Sequence, residues 1–279
     1  MRFAISYQPS FHGLDPDRLL DYARHAEACG FEGLYLPEHV ATYPGAVVGP
    51  MEIPTTTPFL DPLDCLAFVA SATDRLLLGT GVLLLPYHHP VTLAKRIATI
   101  DLLSRGRLQL LTVGVGVFPG EAAAVGVDFA TRGRRTDEAI DVLRLLWSGE
   151  PANYAGEFYQ LTDVYSFPLP HKGCAIHVGG SSLAAARRAG RRGDGYFAGG
   201  AIPPQERARQ FEAARAAAAE AGRDPEALEY TRWGSIDLTE PAVEELASQG
   251  VTRLVVSAST ADPAEQKDQL SAFAERFGL

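Results

Sequence analysis

The chain has 279 residues, 46% of them hydrophobic and 21% charged, which supplies apolar material for a large core and excludes a disordered polypeptide. A formal net charge of −9 argues against a nucleic-acid-binding surface, which needs a clustered excess of Lys and Arg. Three widely spaced cysteines, Cys29, Cys65 and Cys174, with no Cys-x-x-Cys pair, suggest neither a disulfide framework nor a zinc ribbon, and point to a reducing compartment.

The N-terminus reaches Gln8 and Pro9 before a signal-peptide core could form, and no apolar run approaches the ~18 residues of a spanning helix. The expectation is an unexported, cytoplasmic protein without a membrane segment. Phe3 to Tyr7 reads as a first strand. A helix follows that Asp15 caps, Pro16 opens and Gly30 closes, with Leu19, Ala23 and Ala26 as its buried stripe. Phe31 to Leu36 is the second strand, and after a Pro-rich loop Asp61-Pro62 repeats the helix-start signal. Leu76 to Leu85 is the third, leading through Pro86 and Pro90 to a helix that ends at Arg105-Gly106. Arg107 to Val113 follows at once as the fourth.

A long connection from Gly114 to Arg132 precedes a strongly periodic helix carrying Ala139, Val142, Leu143 and Leu146. Before the fifth strand, Ala175 to Val178, lies an insertion from Pro151 to Gly173, where Tyr154 to Tyr159 reads as a small hairpin. Ser182 to Gly190 is a helix, Gly195 to Ala198 the sixth strand, and Pro204 to Ala221 an Ala-rich helix. Leu228 to Ile236, a helix near Glu240 to Ser248, Val251 to Ser257 and a last helix opened by Asp262-Pro263 complete the count. Eight βα units in about 280 residues predict a single (β/α)8 TIM barrel spanning 1–279 with a small insertion before strand five, in preference to a doubly wound sheet. Active-site groups then belong where strands end and βα loops begin.

Those points carry Glu38-His39 after strand two, Thr80-Gly81-Val82 in strand three, Gly114 to Gly116 after strand four, and Gly179-Gly180-Ser181-Ser182 after strand five. Glycines there let a flat ligand approach the backbone, or serve simple turns. At Gly179 to Ser182, N–H groups opening a helix beside two hydroxyls suit a phosphate, with an ordinary Ser182 N-cap as the competing reading. Arg187, Arg188, Arg191 and Arg192 fall late in that helix, where pairing with its C-terminal dipole and solvent is the favoured reading. Gly114-x-Gly116 lacks the third glycine of a dinucleotide fingerprint, position 119 is Pro, and no helix is expected to start there, so a Rossmann site is disfavoured. His88-His89 has no partners at metal-ligand spacing, so no metal is expected. Glu38 and His39 offer proton donors or acceptors beside a redox centre.

Read in order, Leu36-Pro37-Glu38-His39, Leu78-Gly79-Thr80-Gly81-Val82, Leu85-Pro86-Tyr87-His88-His89-Pro90 and Asp101-x-x-Ser104-x-Gly106-Arg107 resemble the luciferase-like monooxygenase superfamily. So do Val113 to Gly116, Gly126-Val127-x-Phe129, and Val178 to Ser182 followed by Gly193-Asp194-Gly195. The style is that of the branch dependent on coenzyme F420. The resemblance implies a (β/α)8 barrel, a deazaflavin F420 or, alternatively, FMN across its mouth, a small organic substrate, and a homodimer. It implies His39 near the reactive ring, Thr80 to Val82 as a strand-three bulge under the ring, often with a non-prolyl cis peptide, and Gly179 to Ser182 at the cofactor phosphate. The leading expectation is hydride transfer, with His39 first and Glu38 second in managing the proton. The alternative is an FMN-dependent monooxygenase fed by a separate reductase, and a non-catalytic cofactor-binding barrel is a third reading. Where many relatives have Trp after the strand-four glycines, this chain has Val117-Phe118-Pro119-Gly120-Glu121. Glu121 is read there as a surface carboxylate, with an acid or substrate contact as the second reading.

Overall fold

The alternation is realised, in a computed structural model that describes residues 1–48, 51–171, 173–200 and 202–279, as eight parallel strands closed into a barrel. They are β1 (Arg2–Ser6), β2 (Gly33–Leu36), β3 (Leu77–Leu84), β4 (Leu110–Gly114), β5 (Ile176–Gly179), β6 (Gly195–Ala198), β7 (Glu229–Trp233) and β8 (Arg253–Val256). Each strand pairs with its sequence neighbours and β8 closes on β1. Between them run α1 (Pro16–Ala28), α2 (Pro62–Ala70), α3 (Pro90–Leu103), α4 (Arg132–Leu146), α5 (Leu183–Arg192), α6 (Pro204–Glu220), α7 (Glu240–Ser248) and α8 (Pro263–Phe277). This is the expected TIM barrel.

The Asp-Pro signals act as read. Asp15, Asp61 and Asp262 each accept backbone N–H bonds from the first turn that the following proline opens, each cap contributing about 1 kcal/mol. The insertion before β5 is an antiparallel pair, Ala152–Ala155 with Gln160–Val164. Burying helix stripes against the outer barrel face, with Leu34, Leu36, Leu78, Leu111, Ile176, Tyr196 and Leu254 nearly inaccessible, is the main stabilising term, at roughly 1.5–3 kcal/mol per large side chain. Inside the barrel, Ala4, Tyr35, Leu110, Phe197 and Val255 form a separate small core with Trp233 above them.

Three expectations change. The fourth strand begins at Leu110 rather than Arg107, because the Arg107 guanidinium donates to Ala70 O, Leu76 O and Thr73 Oγ1 and ties that segment to the end of α2. A helix does start at Pro119, running to Ala124, as a single turn and a half inside what read as a long connection. Its N1 proline needs no N–H partner, and the barrel topology excludes a Rossmann site without that argument. The loop after β2 also carries a two-residue pairing, Val47–Val48 with Met51–Glu52. No helix among the described residues is long and apolar enough to cross a membrane.

Candidate active site

The mouth of the barrel is shaped first by β3. Its register against β4 shifts between Gly81 and Leu83, and the Gly81–Val82 peptide is cis, the bulge the family pattern implies. The glycines of the next two strands make room for it. A Cβ on Gly114 would lie 2.5 Å from Val82 Cγ2, and one on Gly179 would overlap Val82 Cγ1. These two glycines therefore seat a side chain of the bulge, a packing role that glycine turn chemistry does not capture. Gly81 itself faces Trp233 and Tyr35. Thr80 lies below the bulge: its hydroxyl donates to Thr112 O (2.7 Å) and accepts from Thr112 N–H (3.1 Å). That hydroxyl is spent on the β3–β4 ladder and offers a ligand no free donor.

After β2 the chain places Glu38 and His39 side by side in sequence and in quite different surroundings. Glu38 is 5% exposed. One carboxylate oxygen accepts Leu84 N–H (2.5 Å) and the other meets His88 Nε2 (2.8 Å), so Glu38 pins the β2 exit to the end of β3. His39 is partly open, and its ring lies between Phe59 (centroids 4.7 Å apart) and Phe118 (5.0 Å). Its Nδ1 is 3.2 Å from Glu121 Oε2.

Glu121 is not a surface carboxylate. It is fully buried, and its Oε1 also accepts Val40 N–H (2.6 Å). The six-residue helix from Pro119 turns the side chain inward under the β2 exit, and the His39, Val40 and Ala41 donors offset the desolvation of its charge. A carboxylate accepts only, so Nδ1 of His39 carries the hydrogen of this pair and Nε2 is left without it in the neutral ring.

The wall beside this pair consists of residues that periodicity did not single out. Gly116, at φ +79°, lies directly under the Tyr87 hydroxyl, and a Cβ on Gly120 would lie 2.6 Å from the Tyr43 ring. Tyr43 in turn meets Phe118 edge-on, with centroids 6.3 Å apart. The Tyr87 oxygen is buried with no hydrogen-bond partner among the described residues; burial, reinforced by the Glu121 charge, pushes its phenol up to about 12. The available signal was the pair Gly116 and Gly120, which clears space for two rings.

At the start of α5, Ser182 Oγ accepts Ala185 N–H (3.2 Å), the ordinary N-cap. This leaves the backbone N–H groups of Ser181, Ser182, Leu183 and Ala184 without acceptors among the described residues, at the positive end of the helix dipole. Gly180 N–H is taken by Phe197 O (3.1 Å). Of the four α5 arginines, Arg187 and Arg191 are exposed as expected, whereas Arg188 Nε donates to Asp137 Oδ1 (2.6 Å) and Arg192 Nε to Asp141 Oδ1 (2.9 Å), which straps α5 to α4.

The sequence matches the model of the luciferase-like monooxygenases over residues 1–272. The chain belongs to that family. An uncharacterized protein of Mycobacterium tuberculosis is 32% identical over 84% of this chain and 82% of its own length. The 4-hydroxyprotoasukamycin monooxygenase of Streptomyces nodosus subsp. asukaensis is 31% identical, over 84% of this chain and 63% of its own. The F420-dependent glucose-6-phosphate dehydrogenase of Microbacterium testaceum is 30% identical, over 69% and 55%. This luciferase-like chain thus spans little more than half the length of the latter. Among solved structures, a monooxygenase from Streptomyces bottropensis superposes with TM-score 0.80 at 22% identity, covering 99% of this chain and 98% of that one. An F420-dependent secondary alcohol dehydrogenase bound to an F420–acetone adduct does so with TM-score 0.80 at 18% identity and the same coverage. These two likenesses show the fold.

Proposed function

We propose that this luciferase-like oxidoreductase binds coenzyme F420 across the barrel mouth and transfers a hydride to or from a small organic substrate. The observation that carries this reading is the His39–Glu121 pair beside the glycine-seated bulge at Gly81–Val82. The residues present fit such a cofactor. The partly exposed bulge at Gly81–Val82 gives a flat ring a backbone surface to lie on, and the N–H groups from Ser181 to Ala184 suit a phosphate.

When bound, the deazaflavin supplies the hydride chemistry, and the chain supplies binding, orientation and the proton. Gly114 and Gly179 hold Val82 and thereby fix the bulge. Glu38 holds the β2 and β3 exits together, a positioning role in place of the proton transfer expected of it. Glu121 sets the His39 tautomer, and His39 Nε2 takes or gives the proton that accompanies hydride transfer. Phe59 and Phe118 flank the His39 ring and hold its orientation.

The FMN-dependent monooxygenase reading has one observation in its favour, the oxygenase among the relatives that align over most of this chain. Binding titrations with F420, reduced F420, FMN and reduced FMN in parallel, followed by absorbance, distinguish the two. Tight FMN binding with no F420 affinity would sink the first reading. His39→Ala is expected to keep cofactor binding and lose turnover.

A further inference from the structure

A buried guanidinium stands without a carboxylate on the outer face of the barrel. In the β6–β7 ladder Tyr230 is level with Tyr196, and Arg232 with Ala198. Trp233 faces inward, against Gly81 and Phe197, so by the two-residue period of a strand Arg232 points outward toward the helices. Arg232 is 5% exposed, and its Nε and Nη1 atoms have no hydrogen-bond partner among the described residues. It makes no ion pair among the described residues, whereas the equally buried Arg253 is held by Glu32 and Glu229.

The surroundings are short of acceptors in general. Arg207, in the first turns of α6, donates to Gln249 Oε1 (3.2 Å) and Ile202 O (3.4 Å), but its Nε is buried and unpartnered, as is the Tyr230 hydroxyl. The carboxylate of this neighbourhood, Glu206, accepts from Gln210 Nε2 (3.0 Å) and has Arg209 at 3.5 Å. Burial draws the Arg232 guanidinium below its usual range; Tyr230 opposes this and the Arg207 charge adds to it. The N-terminus of α6 has no side-chain cap. A desolvated cation next to a second one is unfavourable unless an anion joins them.

We propose that Arg232 and Arg207, with the Tyr230 hydroxyl, form an oxyanion site that takes a phosphate or carboxylate group. The Nε and Nη1 N–H groups of Arg232, which lack acceptors among the described residues, can donate to the oxygens of either anion. The site lies on the outward face of β7, opposite the face that carries Trp233. It communicates with the start of α5 through Gln210, whose Nε2 also donates to Ser181 O (3.1 Å).

The 279-residue protein is titrated with inorganic phosphate and, separately, with succinate, against potassium chloride at matched ionic strength. Thermal unfolding and binding heats are both read. At least one of the two anions is expected to raise the midpoint by roughly 5–10 °C at about a hundredfold excess over Kd. A response to phosphate alone assigns a phosphate ligand, and to succinate alone a carboxylate. Arg232→Met keeps the apolar stem without the charge; it is expected to melt above the wild type in the absence of anion and to lose the response. Arg207→Gln, measured alongside so that a variant that does not fold leaves the matter decided, is expected to bind the anion at least tenfold more weakly. A wild-type response no larger than that to chloride, or one that survives in the folded variants, overturns the proposal.

Discussion

His39 and Glu38 are adjacent, yet only His39 has a side-chain polar atom, Nε2, left over after its partners are counted. Glu38 has both oxygens engaged by Leu84 and His88, while the His39 ring is anchored at Nδ1 by the buried Glu121. Replacing Glu121 by Gln removes the charge and keeps an acceptor for Val40 N–H. Turnover is expected to fall roughly 10- to 100-fold, part of the ~10²–10⁴-fold that a positioned acid or base contributes, with cofactor affinity retained. Single-turnover kinetics beside a binding titration check this, and unchanged turnover would take the carboxylate out of the mechanism. Tyr87 argues the opposite way. Its buried hydroxyl has no partner, so Tyr87→Phe loses no hydrogen bond and is expected to leave stability unchanged or raise it by up to about 1 kcal/mol. Denaturant unfolding measures it; a loss above that size would mean that the hydroxyl has a partner in solution.

At the scale of elements, three strands share one side chain. Val82 of β3 occupies the space that Gly114 of β4 and Gly179 of β5 leave open. In an ordinary strand position Gly→Ala stabilises by roughly 0.5–1 kcal/mol. Here overpacking against Val82 reverses the sign, and Gly114→Ala is expected to cost about 1–3 kcal/mol. Val82→Ala in the same chain should recover much of that loss, so a double-mutant cycle by urea unfolding should give a coupling well above the ~0.5 kcal/mol of independent sites. Purely additive effects would separate the glycines from the bulge. The glycines themselves were legible as a cluster at strand ends, but what they make room for was not, because the partner lies on a different strand at each site. The inward turn of Glu121 was hidden for a related reason. A helix of six residues is too short to display a 3.6-residue period, and the fact that decides burial, the N–H of Val40, is 81 residues away.

For the whole molecule, the barrel could be counted from the sequence because each βα unit repeats a local pattern: an apolar run, a cap, an amphipathic stripe. Every strand and major helix falls within a few residues of its expected place. What sequence could not show is the floor of the barrel, where residues from the first, second, seventh and eighth strand regions converge. Arg253 donates to Glu32 Oε2 (2.6 Å) and to Glu229 Oε2 (2.6 Å), and Arg2 Nη1 lies 2.6 Å from Glu229 Oε1. His177 of β5 is 2% exposed beside this network, with Nε2 3.4 Å from Glu229 Oε2. Burial pushes its imidazole down to about 4 from the ordinary 6.5, against the pull of the Glu229 carboxylate. The folded state thus holds a neutral ring where the unfolded chain protonates near pH 6.5. Full stability is present above that pH and is lost as pH falls from about 6.5 toward 4, by on the order of 2–3 kcal/mol. His177→Gln removes the titrating group, and its unfolding free energy, measured by urea denaturation between pH 7 and pH 4.5, is expected to fall less steeply than that of the wild type. Parallel profiles would show that carboxylates elsewhere, and not the barrel floor, set the acid limit of the fold.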